Sequence, residues 1–96
     1  MNISLFTSAH FDSRRRCIFY RCWRRGMREI DLILGSFIEK EILDLSEDEL
    51  EEIELLLAEE DSHLFQWFMG IVSVPEHLNT QLFKRICNYC PPMNLL

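Results

Sequence analysis

Glycine and proline are scarce, three of each in 96 residues, so the chain has few built-in breaks and no low-complexity linker to divide it. Long apolar runs are missing too. The longest, such as Leu55-Leu56-Leu57-Ala58, span three or four residues, against the roughly 18 to 20 needed to cross a bilayer. No membrane insertion is expected. Met1 to Phe6 has no basic segment followed by an apolar stretch and a small-residue cleavage site, so no secretory signal is read there and a cytoplasmic setting is expected. In that reducing compartment the four cysteines are read as thiols.

The chemistry-bearing motifs are equally thin. There is no Gly-rich phosphate loop and no Gly-x-Ser-x-Gly, and His10, His63 and His77 occur singly. Cys17 and Cys22, on one predicted helix, point about 140° apart, which prevents them from joining Cys87 and Cys90 around one ion. Cys87-Asn88-Tyr89-Cys90 has C-x-x-C spacing, but it closes a predicted helix, the end at which the dipole raises a thiol's pKa. The carboxylates gather on caps and a solvated helix face and offer no cleft for paired acid chemistry. No catalytic residue, no metal site and no stably bound cofactor is expected.

What is present is core-forming material: 48% of residues are hydrophobic and 11% aromatic, enough for a single domain over 1–96. Apolar spacing is helical throughout, with no alternating strand pattern. The predicted fold is all-α, a compact bundle of five short helices, with a helical core over about 12–90 and flexible ends at 1–11 and 91–96. The first helix is expected to start at Asp12 or Ser13 and run to Arg25, with Gly26 as a left-handed stop. In the second, Met27, Ile30, Ile33, Leu34, Phe37, Ile38, Ile42 and Leu45 occupy about half of the helical wheel, and the interior Gly35 marks a close approach. Ser46 to Glu49 forms a capping box. It opens a third helix that buries Leu50, Ile53, Leu56 and Leu57. A new start at Asp61-Ser62 precedes a helix over about His63 to Gly70, and a last helix is predicted from Pro75 to the Pro91-Pro92 stop.

Charge is unevenly divided: residues 1–28 carry +6, residues 29–61 carry −13 and residues 62–96 carry +1. The Arg-rich first helix is therefore expected to fold against the acidic third, its stems covering apolar surface. The alternative is a basic aromatic face, Arg14 to Arg25 with Tyr20 and Trp23, that binds nucleic acid or anionic lipid. A sequence pI of about 4.9 argues against nucleic acid. Asp31 falls on the inner side of the second helix and needs a partner. Arg24 or Arg25 is the expected one, fixing the turn between the helices. Leu32 and Leu43 point away from the apolar stripe, and an outward Leu beside Arg and Met has the composition of a protein interface.

In the order Arg24-Arg25-Gly26-Met27-Arg28-Glu29-Ile30-Asp31, Phe37, Leu45-Ser46-Glu47-Asp48-Glu49 and Asp61-Ser62-His63-Leu64-Phe65-Gln66-Trp67, residues 13–88 resemble the flavinators, the succinate dehydrogenase assembly factors known in bacteria as SdhE. The chain departs from that pattern at His63, where an acid is usual, and before Ser13. The resemblance implies a five-helix, non-enzymatic assembly factor; a monomer is expected, and the lack of an Arg- and Ser-rich, acid-free stretch before Asp12 makes a bacterial cytoplasm the expected setting. Such a factor would bind the flavoprotein subunit of succinate dehydrogenase, and in some members that of fumarate reductase, and promote covalent attachment of FAD, the partner's cofactor. It places the R-G-x-x-E residues on Arg25, Gly26 and Glu29. Partner contact is accordingly expected from Arg25, Gly26, Met27, Arg28, Glu29 and Leu32, with Arg24, Asp31 and Trp67 as structural support.

Overall fold

The Asp12 side chain accepts from the Arg15 backbone N–H at 2.8 Å and so caps the first helix, α1 (Ser13–Cys22), in a computed structural model that describes residues 12–90. The ends expected to be flexible, 1–11 and 91–96, lie outside the described residues. Helix α1 stops at Cys22 rather than Arg25, because the Trp23 N–H already turns back to Tyr20 and Arg21. Gly26 is not a left-handed stop. Among the described residues only Gly70 has a positive φ, at 75°, and it follows α4 (Asp61–Phe68). Between these lie α2 (Arg28–Glu41), which tightens into a 3-10 turn at Ile42–Asp44, and α3 (Glu47–Leu57).

The last helix begins later than Pro75. Glu76–Leu78 forms a separate 3-10 turn, and the Thr80 hydroxyl accepts from the Phe83 N–H at 3.1 Å to open α5 (Gln81–Cys87). Asn79, with ψ at 73°, breaks the path that a continuous helix would take. Leu78, Leu82, Phe83 and Ile86 are nevertheless all buried, so the apolar spacing was sound and only the boundary moved.

Helix α2 is central and packs against α1, α4 and α5, while α3 packs against α1 and α5. Burial of its Ile30, Ile33, Leu34, Phe37 and Ile38 face supplies the largest apolar contribution to the fold, at about 25 cal/mol per Å² removed from water. The expected third-helix stripe, Leu50, Ile53, Leu56 and Leu57, is buried as predicted. Phe68 stacks on Phe83 with centroids 5.3 Å apart, joining the ends of α4 and α5.

The close approach predicted at Gly35 is real, but its partner is a side chain. A Cβ on Gly35 would stand 2.5 Å from the Trp23 indole, which fills the notch that the glycine leaves in α2. Alanine there gains about 1 kcal/mol of helix propensity and incurs about 1–3 kcal/mol of overpacking. Gly35→Ala is therefore expected to lower the urea midpoint; a midpoint at or above wild type would show that Trp23 moves aside freely.

The acidic and basic segments meet as expected. Arg14 bonds Glu47 at 2.7 Å and Glu54 at 2.8 Å, and Arg15 donates to the carbonyls of Ile42 and Leu45. Arg85 pairs with both Glu41 and Glu49. The capping box is complete, with Glu49 accepting from the Ser46 N–H at 2.9 Å. That backbone bond, with help from Arg85, holds the Glu49 carboxyl below its ordinary value of 4.5. A carboxylate of lowered pKa contributes stability that is in place above the unfolded value and is lost as pH falls through the folded one. Urea midpoints are thus expected to fall as pH drops from about 5 towards 3, and less steeply in Glu49→Gln. Parallel slopes would assign the acid sensitivity to other carboxylates.

Candidate docking surface at the Arg-Gly turn

Residues 23–27 join α1 to α2, and the structure fastens this turn from one point. Asp61, the first residue of α4, accepts from Arg25 Nε at 2.7 Å through Oδ1, and from the backbone N–H groups of Gly26 at 2.8 Å and Met27 at 3.0 Å through Oδ2. The rest of the Arg25 guanidinium donates to the carbonyls of Leu57, at 2.7 Å, and Glu59. These lie at the end of α3 and just beyond it, where a helix presents partial negative charge. One arginine thus ties the turn to the α3–α4 junction. Its side chain is only 13% exposed, and that of Asp61 19%.

Asp31 also serves the turn, and Arg25 is its partner as predicted, but through the backbone. Its Oδ1 accepts from the Arg25 backbone N–H at 2.7 Å, while neither the Arg25 nor the Arg24 guanidinium reaches it. Arg25 is drawn instead to Asp61 and the two carbonyls, which together satisfy its planar fork. Arg24 is exposed and lies over the Tyr20 ring, 5.5 Å from the centroid. A recess of about 200 Å³ lined by Tyr20, Arg21, Arg24 and Arg25 opens beside it. Trp67, the third residue expected to give support, is half-buried at the edge of the core and stacks on His63 at 5.9 Å.

Of the residues expected to contact a partner, Gly26, Arg28 and Leu32 are exposed and Met27 and Glu29 half-buried. The side chains of Glu29 and Arg28 make no hydrogen bond or ion pair among the described residues, and Leu32 is 44% exposed. Arg25 differs from these, since its charged end is turned inward and fully engaged. It shapes the turn from beneath. The contrast between the two acids gives a test: Asp31 holds a backbone N–H, and a hydrogen bond to a charged group is worth about 1 kcal/mol more than a neutral one. Asp31→Asn should lower Tm more than Glu29→Gln, and the reverse order would place Glu29 in the supporting role.

Sequence reasoning gave Asp61 no role in the site, reading it as a helix start and as part of the stretch that carries the resemblance. Its one local signal, an acid at a helix N-terminus, is too common to identify a clamp. The basic-face alternative loses much of its charge here, because Arg14, Arg15 and Arg25 are spent on internal contacts.

Residues 16–90 match a family model described as the flavinator of succinate dehydrogenase. The chain is 34% identical over 82 residues to the mitochondrial succinate dehydrogenase assembly factor 2 of Dictyostelium discoideum, a match covering 85% of this chain and 58% of that protein. It is 31% identical over 74 residues to the FAD assembly factor SdhE of Acetobacter pasteurianus, covering 77% and 68% of the two chains. Against the SdhE protein of Legionella pneumophila strain Lens it is 42% identical over 60 residues, covering 62% and 75%. The chain thus spans little more than half the length of the Dictyostelium relative. No solved structure matches it. With the family model covering most of the described residues, and the Arg-Gly turn and helix order in place, this chain belongs to the flavinator family of succinate dehydrogenase assembly factors.

Proposed function

We propose that this chain binds the flavoprotein subunit of succinate dehydrogenase and promotes covalent attachment of FAD to it. The names of its relatives, FAD assembly factor and succinate dehydrogenase assembly factor, support the reading. The observation that carries it is Gly26: exposed, not in a left-handed conformation, and with only Asp61 Oδ2, at 3.6 Å, near a Cβ built on it. No described residue requires a glycine there, whereas a partner backbone approaching from outside does.

FAD is the partner's cargo, and the histidine that bonds it belongs to the partner. This chain supplies a shaped surface: Gly26 allows close approach, Arg28 and Glu29 offer charge-assisted hydrogen bonds, and Met27 and Leu32 add apolar area. Its effect on the reaction comes from preferring the flavoprotein conformer in which the histidine faces the flavin, since only a differential preference shifts an equilibrium. Holding reacting groups in register is worth up to about 7–11 kcal/mol in the best-oriented cases. The test is co-expression of the flavoprotein subunit with and without this chain, followed by denaturation and in-gel flavin fluorescence. More covalent flavin with the chain is expected, and equal fluorescence with FAD supplied overturns the proposal.

A further inference from the structure

The C-x-x-C pair takes no part in the docking surface, yet the structure brings its two thiols together. Cys87 is the last residue of α5, and the Cys90 N–H donates to the Cys87 carbonyl at 3.1 Å. This closes a four-residue turn. Such a turn holds its end Cα atoms within about 7 Å, and a disulfide spans Cα separations of about 4.4–6.8 Å. Cys90 Sγ also contacts the Phe68 carbonyl at 3.8 Å. Both cysteines are half-buried and so open to small reagents.

The turn is fixed from the outside as well. Between the cysteines, Tyr89 donates its hydroxyl to Glu41 at 2.9 Å and sets its ring edge-on to Phe37 at 5.5 Å. Little chain freedom remains to be lost when the sulfurs join. The other cysteines differ: Cys22 is fully buried, its thiol pushed up to about 12 by desolvation, and Cys17 stands exposed on α1. A metal reading fails for want of ligands, because among the described residues no group of three His, Cys, Asp or Glu side chains converges.

We propose that Cys87 and Cys90 are a thiol-oxidation site that closes reversibly to an intramolecular disulfide. With hydrogen peroxide as oxidant, the Cys87 thiolate attacks one peroxide oxygen, the O–O bond breaks, and a sulfenic acid and one water result. Cys90 sulfur then attacks the sulfenic sulfur, forming the S–S bond as the S–O bond breaks and a second water leaves. The two thiols give up two electrons and two protons, and the peroxide is reduced to two waters. A dithiol reductant reverses the state by exchange. Cys87 is the attacking sulfur, because the neighbouring Cys90 thiol lowers its pKa while that of Cys90 is raised.

The full-length chain, reduced and then treated with hydrogen peroxide or equilibrated in glutathione redox buffer, is alkylated in denaturant and mapped by mass spectrometry. Joint loss of alkylation at Cys87 and Cys90 in a monomer is expected, restored by dithiothreitol and unchanged in Cys17→Ser. In the native reduced protein Cys87 should alkylate at least about tenfold faster than Cys22. In Cys90→Ser, a glutathione adduct should accumulate on Cys87. The proposal is overturned if both residues stay alkylatable after oxidation, if Cys87 proceeds to sulfinic acid with Cys90 untouched, or if Cys17 cross-links take up the oxidation.

Discussion

Gly26→Arg is expected to abolish the gain in covalent flavin while leaving the chain folded. The exposed Gly26 has open space outward and only ordinary van der Waals distance to Asp61 behind it, so a side chain there projects away from the core. Surface substitutions of this kind change stability by about 0.5 kcal/mol or less, and the helical circular dichroism and Tm should stay near wild type. In the co-expression assay, flavin fluorescence should fall to the level seen without the chain, because a long side chain stands where two backbones must meet. Gly26→Ala, adding one methyl, should retain part of the activity. If Gly26→Arg instead unfolds the protein, the glycine is structural and the docking argument fails.

Asp61→Ala is expected to cause the largest loss of stability. The substitution takes the carboxylate from a guanidinium that is 13% exposed, leaving it only the Leu57 and Glu59 carbonyls, and deprives the Gly26 and Met27 N–H groups of their acceptor. Breaking a pair of this burial from one side costs about 2–4 kcal/mol, less than for a fully buried pair because water reaches both groups. Arg25→Ala should cost less, since the freed carboxylate keeps its two backbone donors and the Leu57 and Glu59 carbonyls can be hydrated. Urea titrations of both variants and the double mutant give the coupling directly. A loss under about 1 kcal/mol for Asp61→Ala would show that the turn holds its shape without the clamp.

These two variants separate what the sequence could reveal from what it could not. The start and the buried stripe of helix α3 were readable, because Ser46 and Glu49 act on each other three positions apart and Leu50, Ile53, Leu56 and Leu57 repeat with the helical period. The outward Leu32 and Leu43, 44% and 50% exposed, followed from the same wheel. The Arg25–Asp61 contact joins residues 36 apart, and the rest of the clamp uses backbone carbonyls and N–H groups that no residue type advertises. Gly35 announced a neighbour but could not name Trp23. Asn79 and Thr80 were overshadowed by Pro75, whose preference for a helix start is the stronger local signal.

Trp23, seated in the Gly35 notch, is also an optical probe that the fold has built for itself. The residue as a whole is half-buried, but its Nε1 is buried without a hydrogen-bond partner among the described residues, which screens the indole nitrogen from water at the first position of the docking turn. Trp67, half-buried like Trp23, stacks on exposed His63 instead, so the two indoles sit in different surroundings. With Trp67→Phe as background, the colour of a single chromophore reports whether α1 remains seated on α2, at equilibrium or as a partner arrives, without a label on the surface that the partner must touch.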